Sequence, residues 1–168
     1  MEVAIRKWEL GDAADMAAML NNRKILDNIR DGLPYPYSED DAKAYINTLL
    51  AAETNDAFAF AVVADKRVVG GVSAFRRKNV YRLSAELGYY IAEEYWNKGV
   101  CTEAVRQLAA HILESSDIIR IFAEAYEDNI ASCRVLEKAG FSFEGLMRKA
   151  AIKNGVVKDI KLYALLRE

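Results

Sequence analysis

The spacing of apolar residues predicts a strand and two helices in the first third of the chain. Residues 3–8 alternate between apolar and polar, as a half-buried strand does, and an amphipathic helix follows with Asp12 at its N-cap position. Both prolines fall within residues 32–37, which are therefore expected to lack regular structure. Ser38 then has the form of a capping-box residue, which predicts a second helix over residues 39–53.

Two antiparallel hairpins are predicted, one before the middle of the chain and one at its end. A nearly continuous apolar run over residues 57–64 is interrupted by three charged residues and resumes over residues 68–75. Residues 141–150 and 156–166 flank Asn154-Gly155, a dipeptide typical of a two-residue hairpin turn.

Strands and helices alternate between the two hairpins. The pattern predicts a strand over residues 83–91, a helix from Thr102, a strand over residues 119–125 and a helix over residues 130–138. On the first of these strands Leu87 and Tyr89 share an apolar face, whereas Glu86 lies on the other face. The fold class expected is α+β, in three layers (α/β/α), with a mixed sheet.

Composition limits the classes of function. The chain has 168 residues and 52% hydrophobic content, enough for a single domain over residues 1–168. A net charge of −2 with mixed signs argues against a nucleic-acid partner. No apolar stretch approaches the roughly 18 residues of a membrane span, and the charged start is unlike a secretion signal, so we expect a cytoplasmic protein without a membrane partner.

The cysteine and histidine content argues against a metal site. Cys101 and Cys133 match neither a disulfide framework nor the paired spacing of a zinc site. The single histidine, His111, argues against a histidine-ligated metal and against a Ser-His-Asp triad. It also stands nine or ten residues beyond Cys101 on the same predicted helix, too far to activate that thiol, so Cys101 is expected to be a small packing residue.

A glycine loop after the strand over residues 83–91 is the strongest indication of a ligand site. It reads Trp96-Asn97-Lys98-Gly99-Val100-Cys101-Thr102. Backbone N–H groups in such a loop, with the first free N–H groups of the helix behind them, form a concave donor surface for a phosphate or pyrophosphate. The Walker and Rossmann glycine patterns are both absent, so a nucleoside triphosphate or a dinucleotide is not favoured.

This loop, the run from Asn129 through Ser132 to Gly140-Phe141, and Glu144-Gly145 together resemble the GNAT superfamily of N-acetyltransferases. Within it they are most similar to the branch that includes the ribosomal-protein-alanine N-acetyltransferases, over almost the whole chain. The family's loop reads Gln/Arg-x-x-Gly-x-Gly/Ala, so the middle glycine matches, whereas its first and last positions differ here. The resemblance implies a mostly antiparallel sheet with flanking helices, in which the strand over residues 83–91 bulges near Gly88 and splays from the strand over residues 119–125.

The resemblance further implies that acetyl-CoA binds as co-substrate. The loop from Trp96 to Thr102 would hold its pyrophosphate, and Asn129 and Ser132 would lie beside it. In the gap between the splayed strands, the pantetheine amides would pair with backbone groups near Tyr90 and Ile91 as a short added strand. Two alternatives stay open: Asn129 suffices as a helix cap, and Gly88 as an ordinary strand glycine.

The resemblance makes Glu86 the candidate general base. It would contact the acceptor amine and take its proton directly or through water, as a strand glutamate does elsewhere in the superfamily. The alternative is a structural ion pair with an arginine such as Arg82 or Arg120. Some relatives instead carry a glutamate shortly after the Glu144-Gly145 pair, but residues 148–151 contain no acid.

Ser132 is the candidate donor to the departing thiolate. A related acetyltransferase uses a tyrosine four residues further on, and that position is Leu136 here, which has no proton to give. A serine in the first turn of a helix can hydrogen-bond to the sulfur, although such a serine is also common at helix starts for structural reasons.

The acceptor is expected beside the loop of residues 32–37. Its aromatic residues Tyr35 and Tyr37 would either line a slot for a peptide or amine or anchor the loop onto the sheet. Asp31, Glu39 and Asp40 nearby would favour a cationic acceptor.

The function predicted is therefore an acetyl-CoA-dependent N-acetyltransferase without a metal. A primary amine, a protein N-terminus among the candidates, would attack the thioester directly in a ternary complex. The alternatives are transfer to a small amine such as a polyamine, amino sugar or drug, and a non-catalytic acyl-CoA-binding domain. Dimers are frequent among relatives, so a homodimer is compatible with the resemblance.

Overall fold

The computed structural model describes residues 1–168 and confirms the α+β class, with one seven-stranded sheet between two layers of helices. The strands are β1 (Val3–Lys7), β2 (Ala57–Ala64), β3 (Arg67–Arg76), β4 (Ser84–Ile91), β5 (Arg120–Tyr126), β6 (Ser142–Lys153) and β7 (Val156–Leu166). The helices are α1 (Ala13–Leu20), α2 (Arg23–Leu26), α3 (Glu39–Ala51), α4 (Val100–Ser115) and α5 (Ile130–Lys138). The strand order is β1-β2-β3-β4-β5-β7-β6.

Two separate hydrophobic cores cover the two faces of the sheet. A cluster of 23 buried residues packs α4 and α5 against one face, and a cluster of 10 packs α1, α2 and α3 against the other. The alternation predicted for β4 is confirmed, because Leu87 is buried in the larger cluster and Tyr90 packs against the smaller one. The side chains of β4 therefore reach both helix layers.

Strands β4 and β5 are the single parallel pair, and they separate after three residue pairs. Their pairing runs from Ser84 with Arg120 to Glu86 with Phe122. The later residues of both strands have no partner across the gap, so the predicted splay is confirmed. The predicted bulge near Gly88 is wrong, since β3 and β4 pair from Gly70 with Ile91 to the far end without a register shift. The gap opens because β5 diverges, and β4 needs no bulge.

Several element boundaries differ from the predicted ones. Helix α4 begins at Val100 rather than Thr102, because Gly99 forms its N-cap in the left-handed conformation with φ 77°. Asp12 does not cap α1 with its side chain; its carboxylate accepts the Glu9 N–H at 2.9 Å and pairs with Arg6 at 2.8 Å. The second predicted helix ends earlier, at Ala51.

Other local predictions are confirmed by the backbone. Ser38 and Asp41 form a reciprocal capping box at the start of α3. Asn154 and Gly155 have φ 51° and 77°, the conformation of the two-residue turn predicted between β6 and β7. No helix combines the length and the apolar character that crossing a membrane would need.

Candidate active site

A cavity of about 560 Å³ lies beside the end of β4, beyond the point where β4 and β5 separate. It extends to the first turn of α4 and to α5, and α2 with the residues after it forms a roof. Ten of the eleven residues predicted to hold the cofactor line this cavity: Tyr90, Ile91, Trp96, Asn97, Gly99, Val100, Cys101, Thr102, Asn129 and Ser132. A volume of this size accommodates a sizeable small molecule.

Lys98 is the predicted cofactor residue that does not line the cavity. Its side chain is exposed, and the ammonium lies over the ring of Tyr95, 5.3 Å from the centroid. Tyr95 itself lines the cavity. The positive charge of Lys98 therefore stands outside the wall of the cavity, held by a cation–π contact.

The first turn of α4 presents unused N–H groups to the cavity. The earliest N–H of this region to join the helix is that of Glu103, which donates to the Gly99 carbonyl at 3.1 Å. The N–H groups of Val100, Cys101 and Thr102 precede it and have no partner within the helix. They lie at the N-terminus of a 16-residue helix, where the helix dipole favours a negative charge. The turn therefore has the chemistry of an anion site.

The backbone of β4 offers a second row of hydrogen-bonding groups. Ala92 donates to the Val69 carbonyl at 2.8 Å, and Tyr90 is paired with Gly71, so alternate residues point their backbone towards β3. The groups that face the gap therefore belong to Tyr89 and Ile91, and the expectation of free groups at Tyr90 is wrong.

Trp96 already satisfies one backbone group of this row. Its indole N–H donates to the Ile91 carbonyl at 2.7 Å. A ligand strand entering the gap would therefore find the Ile91 N–H free and one acceptor position of the Ile91 carbonyl already used. The tryptophan, at the position where the family pattern has Gln or Arg, ties the glycine loop to the end of β4.

The side chains of Tyr89 and Ser132 contact each other in the wall of the cavity. Asn129 caps α5 by accepting the Ser132 N–H at 3.2 Å, so the cap interpretation of Asn129 is correct. The Tyr89 hydroxyl lies 2.6 Å from Ser132 Oγ and 3.2 Å from the Ser132 carbonyl oxygen. The hydroxyl predicted to face the thiolate is thus held by a phenol of β4, which the sequence pattern did not single out.

Cys101 is unsuited to nucleophilic attack. Burial raises the pKa of its thiol to about 12, so the thiolate is scarce near neutral pH. His111 packs edge-on against Phe60, with ring centroids 5.3 Å apart, and does not line the cavity. Cys101 packs against the larger hydrophobic core, as expected for a packing residue.

Glu86 lies outside the cavity and is engaged by two arginines. Its side chain is 19% exposed, both of its oxygens face the Arg30 guanidinium, and Arg77 Nη1 lies 3.9 Å away. An ion pair is therefore present, but neither arginine predicted for it takes part. Arg120, one of the two, pairs with Glu144 at 2.6 Å.

Arg30 also binds Glu124 of β5, at 3.2 Å. The nearby carboxylate of Glu86 raises the pKa of the Arg30 guanidinium, which stays charged. Because the Arg30 side chain is 69% exposed, these ion pairs are screened by water. Arg30 therefore covers Glu86 with a group that can move aside at small cost.

Residues 23–31 form the roof over the gap, and contacts to several elements hold it. Two of these contacts are ion pairs, Lys24 with Glu93 and Lys153 with Asp31 (2.7 Å). The other two are hydrogen bonds, from Asn154 to the Asp27 carboxylate (3.0 Å) and from the Tyr126 hydroxyl to the Ile29 carbonyl (3.3 Å). The roof residues Lys24, Ile25, Asn28 and Ile29 line the cavity. The roof is therefore tied to the turn of residues 93–95 after β4, to β5 and to the last hairpin.

The two tyrosines predicted to line an acceptor slot lie elsewhere. Tyr37 is 4% exposed and belongs to the smaller core, so it anchors the loop, which was the alternative for it. Tyr35 is 54% exposed and stacks under Arg23, 5.0 Å from the ring centroid. Neither lines the cavity.

Basic residues of the cavity were not predicted. Arg134 and Lys138 stand four residues apart on one side of α5, and Lys24 lines the cavity from the roof with its ammonium paired to Glu93. The spacing on α5 was a usable signal, because residues four apart share a helix face. No such signal existed for Lys24, since the roof comes from a distant part of the chain.

Comparisons with known proteins agree with this geometry. The acetyltransferase (GNAT) domain family matches residues 2–142. A probable N-acetyltransferase of Bacillus subtilis (strain 168), YjcK, is 37% identical over 109 residues, which are 65% of this chain and 60% of that protein. The match thus spans less than two thirds of this relative's length.

Solved structures share the whole fold. The ribosomal-protein-S5-alanine acetyltransferase from Vibrio fischeri has a TM-score of 0.87 at 26% identity, covering 99% of this chain and 93% of that one. The spermidine N-acetyltransferase from Vibrio cholerae, in complex with CoA and spermine, has a TM-score of 0.82 at 25% identity, covering 98% and 95%.

Proposed function

The chain belongs to the GNAT family of acetyltransferases, and on that premise we propose that it transfers the acetyl group of acetyl-CoA to a primary amine. The observation that carries the proposal is the cavity itself, which joins an open strand edge to the unused N–H groups of a helix. Resemblance to the ribosomal-protein acetyltransferases supports it.

The cavity fits the chemistry of acetyl-CoA. The N–H groups at the start of α4 would receive the pyrophosphate, and the basic side chains of Arg134 and Lys138 complement its phosphates. The Tyr89 and Ile91 backbone would pair with the pantetheine amides. That CoA is bound by the Vibrio cholerae relative supports the same use here.

Direct attack by the amine in a ternary complex is the proposed mechanism. A thiol as weakly acidic as Cys101 and a histidine packed away from the cavity leave no acyl-enzyme nucleophile. Glu86 would accept a proton from the amine once Arg30 has moved aside. Ser132 would donate a hydrogen bond to the departing sulfur.

The acceptor we favour is a protein N-terminus, because two relatives are named for a serine and an alanine of ribosomal proteins, and the only amine that such a residue can offer is the N-terminal one. A polyamine is the second candidate, because the carboxylates of Glu86 and Glu124 lie together at Arg30, where a cationic acceptor could replace the guanidinium, and a structural relative binds spermine. A non-catalytic acyl-CoA-binding domain is the alternative outside enzymes. Location in the cytoplasm and assembly as a homodimer stay predictions.

Release of free CoA thiol tests the proposal. The purified chain is given acetyl-CoA with alanine- and serine-starting peptides, spermidine or buffer alone. We expect amine-dependent thiol release, with an equal amount of acetylated product by mass spectrometry. Acetyl-CoA binding without release on any amine would favour the non-catalytic domain, and faster release on spermidine than on every peptide would favour the polyamine.

A further inference from the structure

We infer that Tyr89 is a positioning residue, which orients the Ser132 hydroxyl towards the sulfur of departing CoA. The inference rests on the proposed function. Both side chains line the cavity, Tyr89 from β4 and Ser132 from the first turn of α5. Their oxygens are 2.6 Å apart, a short hydrogen bond between hydroxyl groups.

Either hydroxyl can donate in this hydrogen bond, and a ligand in the cavity selects the direction. The Tyr89 hydroxyl carries one proton and has two neighbours, Ser132 Oγ at 2.6 Å and the Ser132 carbonyl oxygen at 3.2 Å. When a sulfur in the cavity offers the serine proton another acceptor, the phenol proton goes to Oγ, which keeps the 2.6 Å contact. In this arrangement the serine O–H is free to donate to the sulfur.

The Tyr89 phenol stays protonated around neutral pH. Burial raises the pKa of its phenol above the ordinary value, and the hydrogen bond to Ser132 offsets only part of that shift. The phenol therefore stays protonated when amines become reactive. The raised pKa makes this phenol a weaker acid than a free tyrosine, which favours a role in holding Ser132.

The chemical step shows what an oriented hydroxyl contributes. The amine nitrogen bonds to the carbonyl carbon and its proton passes to Glu86; the C–S bond then breaks and its electron pair goes to sulfur. An alkyl thiol has a pKa of about 8.5, far below that of a serine hydroxyl, so Ser132 keeps its proton and stabilises the thiolate by hydrogen bonding. The strength of such a hydrogen bond depends on the orientation of the Ser132 O–H, which Tyr89 fixes.

A double-mutant cycle tests whether Tyr89 acts through Ser132. Tyr89→Phe and Ser132→Ala are each expected to lower kcat about 10-fold with little change in KM for acetyl-CoA. The double variant should be no slower than Ser132→Ala alone, because the phenol has no other target. Tyr81→Phe, the same change at a 61% exposed tyrosine, is the control. Losses that multiply to about 100-fold in the double variant, or full activity of Tyr89→Phe, would overturn the inference.

A second measurement needs only CoA binding and separates this inference from the proposed function. The thiol pKa of bound CoA, followed by ultraviolet absorbance of the thiolate, should fall about one unit below that of free CoA. The shift should vanish in Tyr89→Phe and in Ser132→Ala. Finding it in a protein that acetylates no amine would leave the orientation intact and reject the transferase. A shift that survives Tyr89→Phe, or no binding of CoA, would reject the orientation.

Discussion

Replacing Glu86 by Gln is expected to lower kcat/KM for amine acetylation about 100-fold while the affinity for acetyl-CoA stays nearly constant. The amine must lose a proton to react, and Glu86 is the carboxylate beside the point where β4 and β5 separate. Because its side chain does not line the cavity, the cofactor site should be unchanged. Steady-state kinetics with the best acceptor and calorimetric titration with acetyl-CoA measure the two quantities.

Glu124→Gln is the matched control for this prediction. Glu124 also pairs with Arg30, so its substitution removes a carboxylate from the same cluster without removing the proposed base. We expect a loss of less than about fivefold, of the size that surface ion pairs have. Acceptors with a lower amine pKa should recover activity in Glu86→Gln, since more of each is already neutral. Equal losses in both variants would instead assign Glu86 a purely electrostatic role.

Gly70→Ala is expected to lower the free energy of unfolding by about 3 kcal/mol, the upper range for forcing a methyl group into a packed site. The added Cβ would press on the Tyr90 carbonyl oxygen and lie 2.6 Å from Ile91 Cδ1. A backbone oxygen in the middle of a sheet cannot turn away as a flexible side chain can. Urea denaturation measures the change.

Gly88→Ala provides the comparison within the same pair of strands. Its added Cβ meets only Ser73 Oγ, at 3.8 Å, an ordinary contact. We expect stability within about 0.5 kcal/mol of the parent, since alanine is also less costly to order in a strand than glycine. A large loss at Gly88, or none at Gly70, would contradict the close approach of β3 and β4 beneath the cavity.

Local features of this chain could be predicted because neighbouring residues determine them. Asn129 and Gly140 mark the two ends of α5, and Asn154-Gly155 fixes the last turn. The start of α4 was misplaced because Gly99 caps it with backbone alone, which leaves no side-chain signal. The bulge near Gly88 was wrongly predicted, because β4 and β5 can diverge without a bulge in β4.

The arrangement of the site depended on contacts that sequence spacing does not encode. Arg30 reaches Glu86 across 56 residues of sequence, and Tyr89 reaches Ser132 across 43. Trp96 was identified as a departure from the family loop, but its bond to the Ile91 carbonyl follows only from the folded path of the loop. Residue types therefore indicated the ligand, whereas the partners of each catalytic candidate required the structure.

A calorimetric titration with acetyl-CoA of the parent chain, Gly99→Ala and Gly155→Ala tests the central claim most directly. Both glycines have φ 77° and open space where a Cβ would stand, so alanine strains each backbone alike, but only Gly99 lines the cavity. The account predicts one acetyl-CoA per chain, affinity about 10-fold weaker in Gly99→Ala, and unchanged affinity in Gly155→Ala. No binding by the parent chain, or equal weakening in both variants, would contradict it.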